Sequence, residues 1–440
     1  MNRTTIRACA TVLFVVAMAS AQANSDIYLT NSTHETVRID VHHHGNGDEL
    51  TEGDEWEQTT TAIAPFATER VLTFNRFSGL ESGATYHFET LVEGESSSVT
   101  LRQVMQGTFY GSRISHGARG EFGAPLVSDR AIHRFDTRFD AIPSILAFKA
   151  HRSFGYDDFR YTVTNRSEPE PVSGPSELKV LSHNIWALPV IADNIGERLD
   201  ELPQFLKGAD VLLLQEAFDA RSEDLLLELS DEYPYQTEIL DGADPNLLNG
   251  GVVVASRYPI VNTEYHVYPD CVGTDCLTDR GVVYTEIIKD GQAFHVMGTH
   301  TASSDSDEAR QTRMSQFRQM RELADHQEIP GFEALILGGD FNVNKRKFPG
   351  DFARMQSILN ATMPRATGYT RATFDAEVNR NADRTSNKVE YLDYVLVARD
   401  HRQPAASVND VRVPRSVSED LWKVWDLSDH FPVFGHFEFE

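Results

Sequence analysis

The chain has 440 residues, 66 of them acidic and 40 of them Lys or Arg, and a formal net charge of −26 at pH 7. This length allows two or more domains, because single domains take about 100 to 250 residues. So acidic a surface repels polyphosphates, which counts against a nucleic-acid partner. Any anionic substrate would need a metal ion or a locally positive cleft.

The N-terminus is typical of an export signal. Arg3 and Arg7 precede an apolar run over residues 8–19, and an A-x-A motif ends at Ala23. The run is shorter than the roughly 20 residues of a membrane-spanning helix, so an N-terminal anchor is the weaker alternative. We expect a signal peptide over residues 1–23 and a secreted mature protein.

The next part of the chain, residues 24–164, predicts an all-β domain. DIYLTN, TVRIDVHHHG, ERVLTFNRF, TYHFETLVEG and SSVTLRQV alternate apolar with polar residues between turn residues. Their regular spacing is typical of an antiparallel β-sandwich. Residues 165–177, NRSEPEPVSGPSE, are rich in Pro, Ser and acids that cannot build a core, and we predict a linker there.

From residue 178 to 440 the pattern changes to α/β. DVLLLQEAF is a continuous apolar run, as in a strand that is buried on both faces. DNIGERLDELPQFLKG, SEDLLLELSDEY and EARQTRMSQFRQMRELADHQ are amphipathic and predict helices. The turn KDGQ joins two strands as a hairpin, so we expect mixed sheets in a layered α/β sandwich.

Polar side chains interrupt or end the apolar strands near the C-terminal ends of the strands. They are carboxylate, amide and imidazole groups: Asn184, Glu216, His300, Asp340, Asn342, Asp393, Asp429 and His430. Any one of them alone would be read as a satisfied buried polar group or a turn residue. Because ionised groups in such places are costly unless they are paired or bind a metal, the set together predicts a shared site.

The residue types in this set favour a hard cation. They offer oxygen ligands without a cysteine or a His pair at i, i+4 spacing, which points to Mg²⁺ or a similar ion rather than zinc. Glu216 is the natural principal ligand, with Asn184 beside it. The two histidines can each manage a proton near neutral pH. This combination would suffice to hydrolyse a phosphodiester.

Two cysteines, Cys271 and Cys276, remain after the predicted leader is removed. An oxidising compartment favours their pairing, and the loop between them, with Gly273 and Asp275, can bring the two Cα atoms within disulfide range. Free thiols are the alternative. A zinc site would need two more ligands nearby, and none is evident.

The order of motifs, N…E…GTH…GGDFN…LDY…SDHFPV, resembles the exonuclease-endonuclease-phosphatase superfamily over Leu178 to Glu440. This implies a four-layered α/β sandwich that hydrolyses phosphoester bonds with a divalent metal. LSHNIWALP, QEAFD, GGVVVASRYPI, GTHTASSDS and the cysteines ahead of DRGVVY are similar to the bacterial neutral sphingomyelinase C branch. That branch implies cleavage of sphingomyelin in membrane surfaces to ceramide and phosphocholine, with Mg²⁺ or, alternatively, Mn²⁺ or Co²⁺. No obligate protein partner is evident.

On the metal side, the resemblance implies that Glu216 in QEAFD holds the catalytic metal, with Asn184 in SHN nearby. Asp429 in SDH would add negative charge at the metal.

On the proton side, the resemblance implies that His430 is the general base on the attacking water and that Asp393 orients its ring. His300 would hydrogen-bond the phosphate and assist the leaving alkoxide. Asp340 and Asn342 would position the water and a phosphoryl oxygen. The split of base and acid between the two histidines stays open.

Two features lie outside the catalytic motifs. Trp422 and Trp425, just before SDH, would either contact a lipid interface or pack as core aromatics. The N-terminal domain would serve either lipid or surface attachment or the stability of its neighbour.

Three functions therefore compete. The first is a secreted, metal-dependent sphingomyelinase. The second is an extracellular nuclease, or another phospholipase C-type phosphodiesterase, of the same fold; the acidic composition and the lack of a Lys/Arg cluster argue against a nuclease. The third is a catalytically idle lipid-binding module, whose signature would be a missing metal ligand or imidazole.

Overall fold

The computed structural model describes residues 24–440 except 121–124, 154–155, 167–169, 243–245 and 423, and it leaves the side chain of residue 384 undescribed. The chain divides into two compact units, Met1–Ser167 and Glu168–Glu440. The expected signal peptide lies outside the described residues. Within the described part of the chain, no helix is long and apolar enough to cross a membrane.

The first unit is a β-sandwich. Its strands are β1 (Asn24–Ser32), β2 (Val37–Gly45), β3 (Trp56–Gln58), β4 (Ala62–Ile63), β5 (Thr68–Asn75), β6 (Thr85–Glu93), β7 (Ser98–Thr108), β8 (Gly111–Arg119), β9 (His133–Phe139), β10 (Ile142–Ser153) and β11 (Tyr156–Asn165). One sheet has the order β3-β5-β1-β11-β10-β9 and the other β4-β2-β6-β7-β8.

Alternation of side chains builds this sandwich. In β6 and β7 every second residue is buried, as expected when one face of each strand meets the core and the other faces water. Buried apolar side chains from both sheets form one cluster. The predicted β-sandwich is confirmed, with one difference: β1 pairs with β11 in parallel, whereas the other pairs described in these sheets are antiparallel.

The second unit contains the remaining strands and all the described α-helices. The strands are β12 (Glu177–Asn184), β13 (Val211–Gln215), β14 (Tyr235–Gln236), β15 (Val253–Ser256), β16 (Ile260–Val267), β17 (Gly281–Lys289), β18 (Gln292–His300), β19 (Ala334–Asp340), β20 (Ala361–Thr362), β21 (Arg365–Gly368), β22 (Phe374–Asp375), β23 (Val389–Glu390), β24 (Asp393–Ala398), β25 (Ala406–Val411) and β26 (Val433–Glu438). The helices are α1 (Ile195–Glu201), α2 (Pro203–Leu206), α3 (Arg221–Leu229), α4 (Asp307–His326), α5 (Pro349–Ile358) and α6 (Arg380–Thr385).

The second unit is the four-layered α/β sandwich that the resemblance implies. A sheet of order β14-β15-β13-β12-β26-β25-β21 packs on a second of order β16-β17-β18-β19-β24-β20. Helices α1 to α3 cover the outer face of the first sheet, and α4 and α5 contribute to the cluster of the second. Both sheets are mixed, since β12 and β13 are parallel, as are β18 and β19, among antiparallel neighbours.

Two local predictions had different outcomes. The segment 193–208, predicted as one helix, forms α1 and α2 instead, because Pro203 has no N–H to continue α1 and opens α2 at its first position. The KDGQ hairpin is confirmed: β17 and β18 are joined by Asp290 and Gly291, both with positive φ, as a tight hairpin turn requires.

Candidate active site

Three of the predicted site residues form a row across neighbouring strands. The register pairs His300 with Asp340 and Asp340 with Asp393. The parallel strands β18 and β19 end at this edge, whereas the antiparallel β24 begins there. The expectation that each strand stops at its polar residue is therefore wrong for Asp393, which opens its strand. All three side chains nevertheless meet at one edge of the sheet.

Two further predicted residues come from the other sheet. Asn184 is the last residue of β12, and Glu216 directly follows β13. The amide Nδ2 of Asn184 donates to Glu216 Oε1 at 3.0 Å and to Asp340 Oδ2 at 3.2 Å. This one side chain therefore connects the two sheets at the site.

The paired glycines of the GGDFN motif allow this approach. A Cβ atom on Gly338 would lie 2.5 Å from Cδ1 of Leu213, which belongs to the facing sheet. A side chain there would force Leu213 to shift, because real Cβ atoms do not come so close to their neighbours. Gly338 therefore allows close packing of the two sheets next to Asp340.

Two site residues adopt the left-handed backbone region. The φ angles are 57° at Glu216 and 50° at Asn342, a conformation that costs a residue with a Cβ about 1 to 2 kcal/mol. Asn342 is held by its own N–H, which donates to Asp340 Oδ1 at 3.0 Å, and by its Nδ2, which donates to the Thr301 carbonyl at 3.1 Å. Strain of this kind clusters at functional sites.

His430 forms a hydrogen-bonded pair with Asp393. Nδ1 of His430 lies 2.8 Å from Oδ2 of Asp393, and Nε2 lies 3.9 Å from Oδ2 of Asp340. Burial alone would lower the pKa of His430, but the charges of Asp393 and Asp340 outweigh burial and raise this pKa well above its usual 6.5. His430 is therefore the more basic of the two site histidines.

The turn that carries His430 is fixed through its backbone carbonyls. Each of four carbonyls accepts a hydrogen bond from a buried side chain of another segment: Asp426 O from Asn381, Leu427 O from Arg198, Ser428 O from Asn379 and His430 O from His183. Buried carbonyls that are satisfied in this way hold the turn in one conformation.

His300 contacts an arginine that sequence reasoning did not select. Nη1 of Arg280 lies 2.5 Å from Nε2 of His300. A guanidinium can only donate, so the hydrogen-bond network assigns Nε2 as the acceptor and a neutral imidazole with its proton on Nδ1. Burial, followed by the charges of Arg280 and His430, lowers the pKa of His300 well below its usual value.

Burial outweighs the positive charges near two of the carboxylates at the site. Burial raises the pKa of Asp340 and of Asp429 to about 7, with the neighbouring Asp393 adding to the effect at Asp340 and Glu216 to that at Asp429. Among the described residues, Oε2 of Glu216 is buried without a hydrogen-bond partner. A buried carboxylate oxygen of this kind is suited to a cation.

These groups fit a hard divalent cation. The donors are carboxylate and amide oxygens, which suit Mg²⁺. Ligand atoms of Asp340, Asp393 and His430 also lie within 4.8 Å of one another. The set expected from the sequence is different: Glu216 and Asp429, with Asn184, whose amide Nδ2 donates to Glu216.

The predicted disulfide is present. Cys271 and Cys276 are bonded with their Cα atoms 5.1 Å apart, and the loop forms a short 3₁₀ helix, Gly273–Leu277.

The two tryptophans that were candidates for membrane contact are buried in this structure. Trp422 is 8% exposed and Trp425 2%, and their rings pack edge to face with centroids 6.0 Å apart. Both rings are packed core aromatics here, so neither is presented to a membrane in this conformation.

Comparison with known proteins agrees with this geometry. Residues 181–430 match the model of the Endonuclease/Exonuclease/phosphatase family. Among solved structures, a variant of beta toxin from Staphylococcus aureus with bound magnesium ions has 32% identity and a TM-score of 0.56, covering 60% of this chain and 100% of that one. Sphingomyelinase C from Streptomyces griseocarneus has 31% identity and a TM-score of 0.55, covering 60% of this chain and 99% of that one.

Curated relatives point the same way. Sphingomyelinase C 2 of Leptospira interrogans serogroup Icterohaemorrhagiae serovar Lai (strain 56601) is 35% identical over 59% of this chain, but the match spans only 46% of that protein. Sphingomyelinase C of Bacillus cereus is 34% identical, over 58% of this chain and 87% of that one. Phospholipase C of Staphylococcus aureus is 33% identical, over 61% and 90%.

The fold and the site together are those of a phosphodiesterase of this fold, with a buried group, Asp340, Asp393 and His430, that could hold a metal ion. The chain belongs to the Endonuclease/Exonuclease/phosphatase family, since the match covers more than half of its length. The β-sandwich unit precedes the matched residues.

Proposed function

We propose that this chain is a secreted sphingomyelin phosphodiesterase that releases ceramide and phosphocholine. The observation that carries the proposal is the His430–Asp393 pair, which lies beside Asp340, the carboxylate that Asn184 connects to Glu216. The substrate rests on the sphingomyelinase C relatives at 33% to 35% identity.

Glu216 would hold the cation, with Asn184 beside it and Asp429 adding negative charge there. When bound, Mg²⁺ polarises a phosphoryl oxygen and stabilises the charge that grows there. The partnerless Oε2 of Glu216 and the raised pKa of Asp429 support this assignment.

His430 would be the general base. Its Nδ1 donates to Asp393, which leaves Nε2 to take a proton from the attacking water as the water oxygen bonds to phosphorus. The raised pKa means that His430 must first lose its own proton. The negative charge of Asp340 contributes to the raised pKa of His430. A cation bound near Asp340 would offset that charge and lower the pKa of His430 toward neutral pH.

The other residues would position the reactants. Asp340 and Asn342 would orient the water and a phosphoryl oxygen, since Asn342 is fixed against Asp340. His300 would hydrogen-bond the phosphate beside the leaving group, whose oxygen takes a proton when the phosphorus–oxygen bond to ceramide breaks. Because His300 is neutral with Nε2 as an acceptor, that proton comes from solvent water, and the proton that His430 takes from the attacking water returns to solvent.

Secretion rests on the pattern of residues 1–23. Expression in a bacterial host with an export system tests it. We expect the protein in the export fraction with Asn24 as its N-terminal residue by mass spectrometry. Cytoplasmic retention with residues 1–23 intact would contradict it.

Hydrolysis of sphingomyelin, phosphatidylcholine and plasmid DNA, each with Mg²⁺ and with EDTA, tests the function. We expect phosphocholine from sphingomyelin with Mg²⁺ and none with EDTA or with His430→Ala. His436→Ala is the matched control, because this histidine lies in β26, away from the site. Faster cleavage of DNA would favour the nuclease, and vesicle binding without turnover would favour the idle lipid-binding module.

A further inference from the structure

The predicted site residues include four carboxylates but no arginine or lysine that could bind an anionic phosphate. Glu216, Asp340, Asp393 and Asp429 all carry acidic side chains, yet the substrate phosphate is an anion. Three arginines act on these groups, Arg198, Arg280 and Arg313. The question is which of them can reach a phosphate. Arg313 is 1% exposed and donates to the backbone carbonyls of Ala302, Ser303 and Ser304, so it is committed to the fold.

Arg198 is fully committed to the fold. Its side chain is 0% exposed, and its guanidinium donates to four backbone carbonyls, those of Ile185, Trp186, Asp193 and Leu427. Turning it toward a ligand would leave these buried carbonyls unpaired, which is unfavourable. Arg198 therefore fixes loops and does not bind substrate.

Arg280 lies at the site with a donor to spare. Its side chain is 12% exposed, just before β17, and Nη1 reaches both His300 Nε2 and the Thr301 carbonyl at 2.5 Å. Among the described residues, its Nε has no hydrogen-bond partner although it is buried. Burial raises the pKa of Asp340, and the positive charge of Arg280 opposes that rise. Arg280 is thus the cation best placed to meet a phosphate.

A single acid aims this guanidinium. Asp275 lies 3.0 Å from Nη2 of Arg280, and the carboxylate also accepts from Ser303 N at 2.8 Å and Ser303 Oγ at 2.9 Å. Asp275 is 5% exposed and lies inside the loop closed by Cys271 and Cys276. Both the covalent loop and the serine hydrogen bonds therefore fix the direction in which Arg280 points.

We propose that Arg280 binds a non-bridging oxygen of the substrate phosphate next to His300, and that Asp275 is the positioning residue that aims it. The proposal rests on the proposed phosphodiester hydrolysis. A guanidinium remains charged at all working pH values and matches two phosphate oxygens with its fork of donors. The N–H of Arg280 that now donates to Nε2 of His300 would donate to the phosphate oxygen instead. Because negative charge on the phosphoryl oxygens grows in the transition state, Arg280 favours that state over the bound substrate.

Steady-state kinetics test this with Arg280→Ala, Arg280→Lys and Asp275→Asn, and with the exposed Arg318→Ala as the matched control. The substrates are sphingomyelin in mixed micelles and the soluble diester bis(4-nitrophenyl) phosphate. For Arg280→Ala we expect a loss of about 10²- to 10³-fold in kcat/KM, mostly in kcat, on both substrates. Arg280→Lys should restore part of it, because it keeps the charge and loses the fork. Inhibition by inorganic phosphate should weaken in parallel.

A kcat/KM and a phosphate inhibition constant for Arg280→Ala equal to those of Arg318→Ala overturn the proposal. Equal losses for Arg280→Lys and Arg280→Ala, accompanied by a lower Tm in both, show a structural role only and also overturn it. If the Arg280 variants do not fold, Asp275→Asn decides: we expect about a tenfold loss in kcat/KM with weaker phosphate inhibition, and wild-type values contradict us. Activity on the soluble diester without turnover of sphingomyelin would refute the proposed substrate and leave the role of Arg280 intact.

Discussion

Asp393 opens strand β24 and accepts a hydrogen bond of 2.8 Å from Nδ1 of His430, which lies 37 residues further along the chain. This contact fixes the ring and leaves Nε2 directed at the carboxylate edge of the site. The proton chemistry of the proposed reaction depends on this pair.

Asp393→Asn should therefore lower kcat by about 10²- to 10⁴-fold with little change in KM, because an amide can donate to Nδ1 and place the ring proton on Nε2. Steady-state kinetics on a soluble phosphodiester measure this effect. Asp383→Asn is the control, since that side chain is 54% exposed on α6 and pairs only loosely with Arg380. A kcat equal to that of the control would show that Asp393 does not orient the base.

The metal-free protein should lose stability as pH rises through about 7. The pKa of Asp340 and of Asp429 is about 7 in the folded state, against about 4 in an unfolded chain. The folded state then binds more protons between these values, so the contribution of the two groups is full below about pH 4 and lost as pH rises through about 7.

Magnesium should offset this loss. The rise in Tm on adding Mg²⁺, measured by thermal unfolding, should be larger at about pH 8 than at about pH 5, because protons compete with the cation at low pH. Asp429→Asn should be less destabilised at high pH without metal and should respond less to Mg²⁺. A Tm shift that does not change with pH would argue against these carboxylates as the cation site.

The disulfide should contribute to both stability and activity. Replacing Cys271 and Cys276 with serine should lower the free energy of unfolding by about 2 kcal/mol, the loop-entropy value for so short a loop. The loop carries Asp275, so kcat/KM should fall as well. Urea unfolding and kinetics on the same preparation measure both. Loss of stability with unchanged kcat/KM would separate the disulfide from the site.

The two tryptophans should behave as core residues. Trp422→Ala should cost about 3 to 5 kcal/mol of unfolding free energy, as truncation of a buried aromatic does. Urea unfolding measures this cost, and Leu227→Ala, at an exposed position on α3, is the control. A stable Trp422→Ala variant with weakened binding to sphingomyelin vesicles would instead support the membrane contact.

The sequence predicts a site residue well where a carboxylate or imidazole side chain directly follows an apolar run that forms a buried strand. Glu216, His300 and Asp340 each follow an apolar run, so their types and positions predict both their location and a shared edge. Strand direction is not readable in the same way, and the position of Asp393 at the start of β24 emerges only from the pairing with β19.

Residues that act through tertiary contacts are harder to predict. Arg280 resembles any charged residue before a strand, and its role depends on Asp275 and Ser303, which the fold brings together. The burial of Trp422, which the sequence left open, is likewise visible only in the fold. The break at Pro203 is different: proline cannot continue a helix, so the single helix predicted over residues 193–208 overlooked a signal that the sequence does contain.

Hydrolysis of sphingomyelin in ¹⁸O-labelled water, with the products resolved by mass spectrometry, tests the central claim most directly. Attack of water on phosphorus predicts phosphocholine that carries one ¹⁸O atom and ceramide that carries none, with both products absent for His430→Ala. Label in ceramide, or release of choline with ceramide phosphate, would contradict the account.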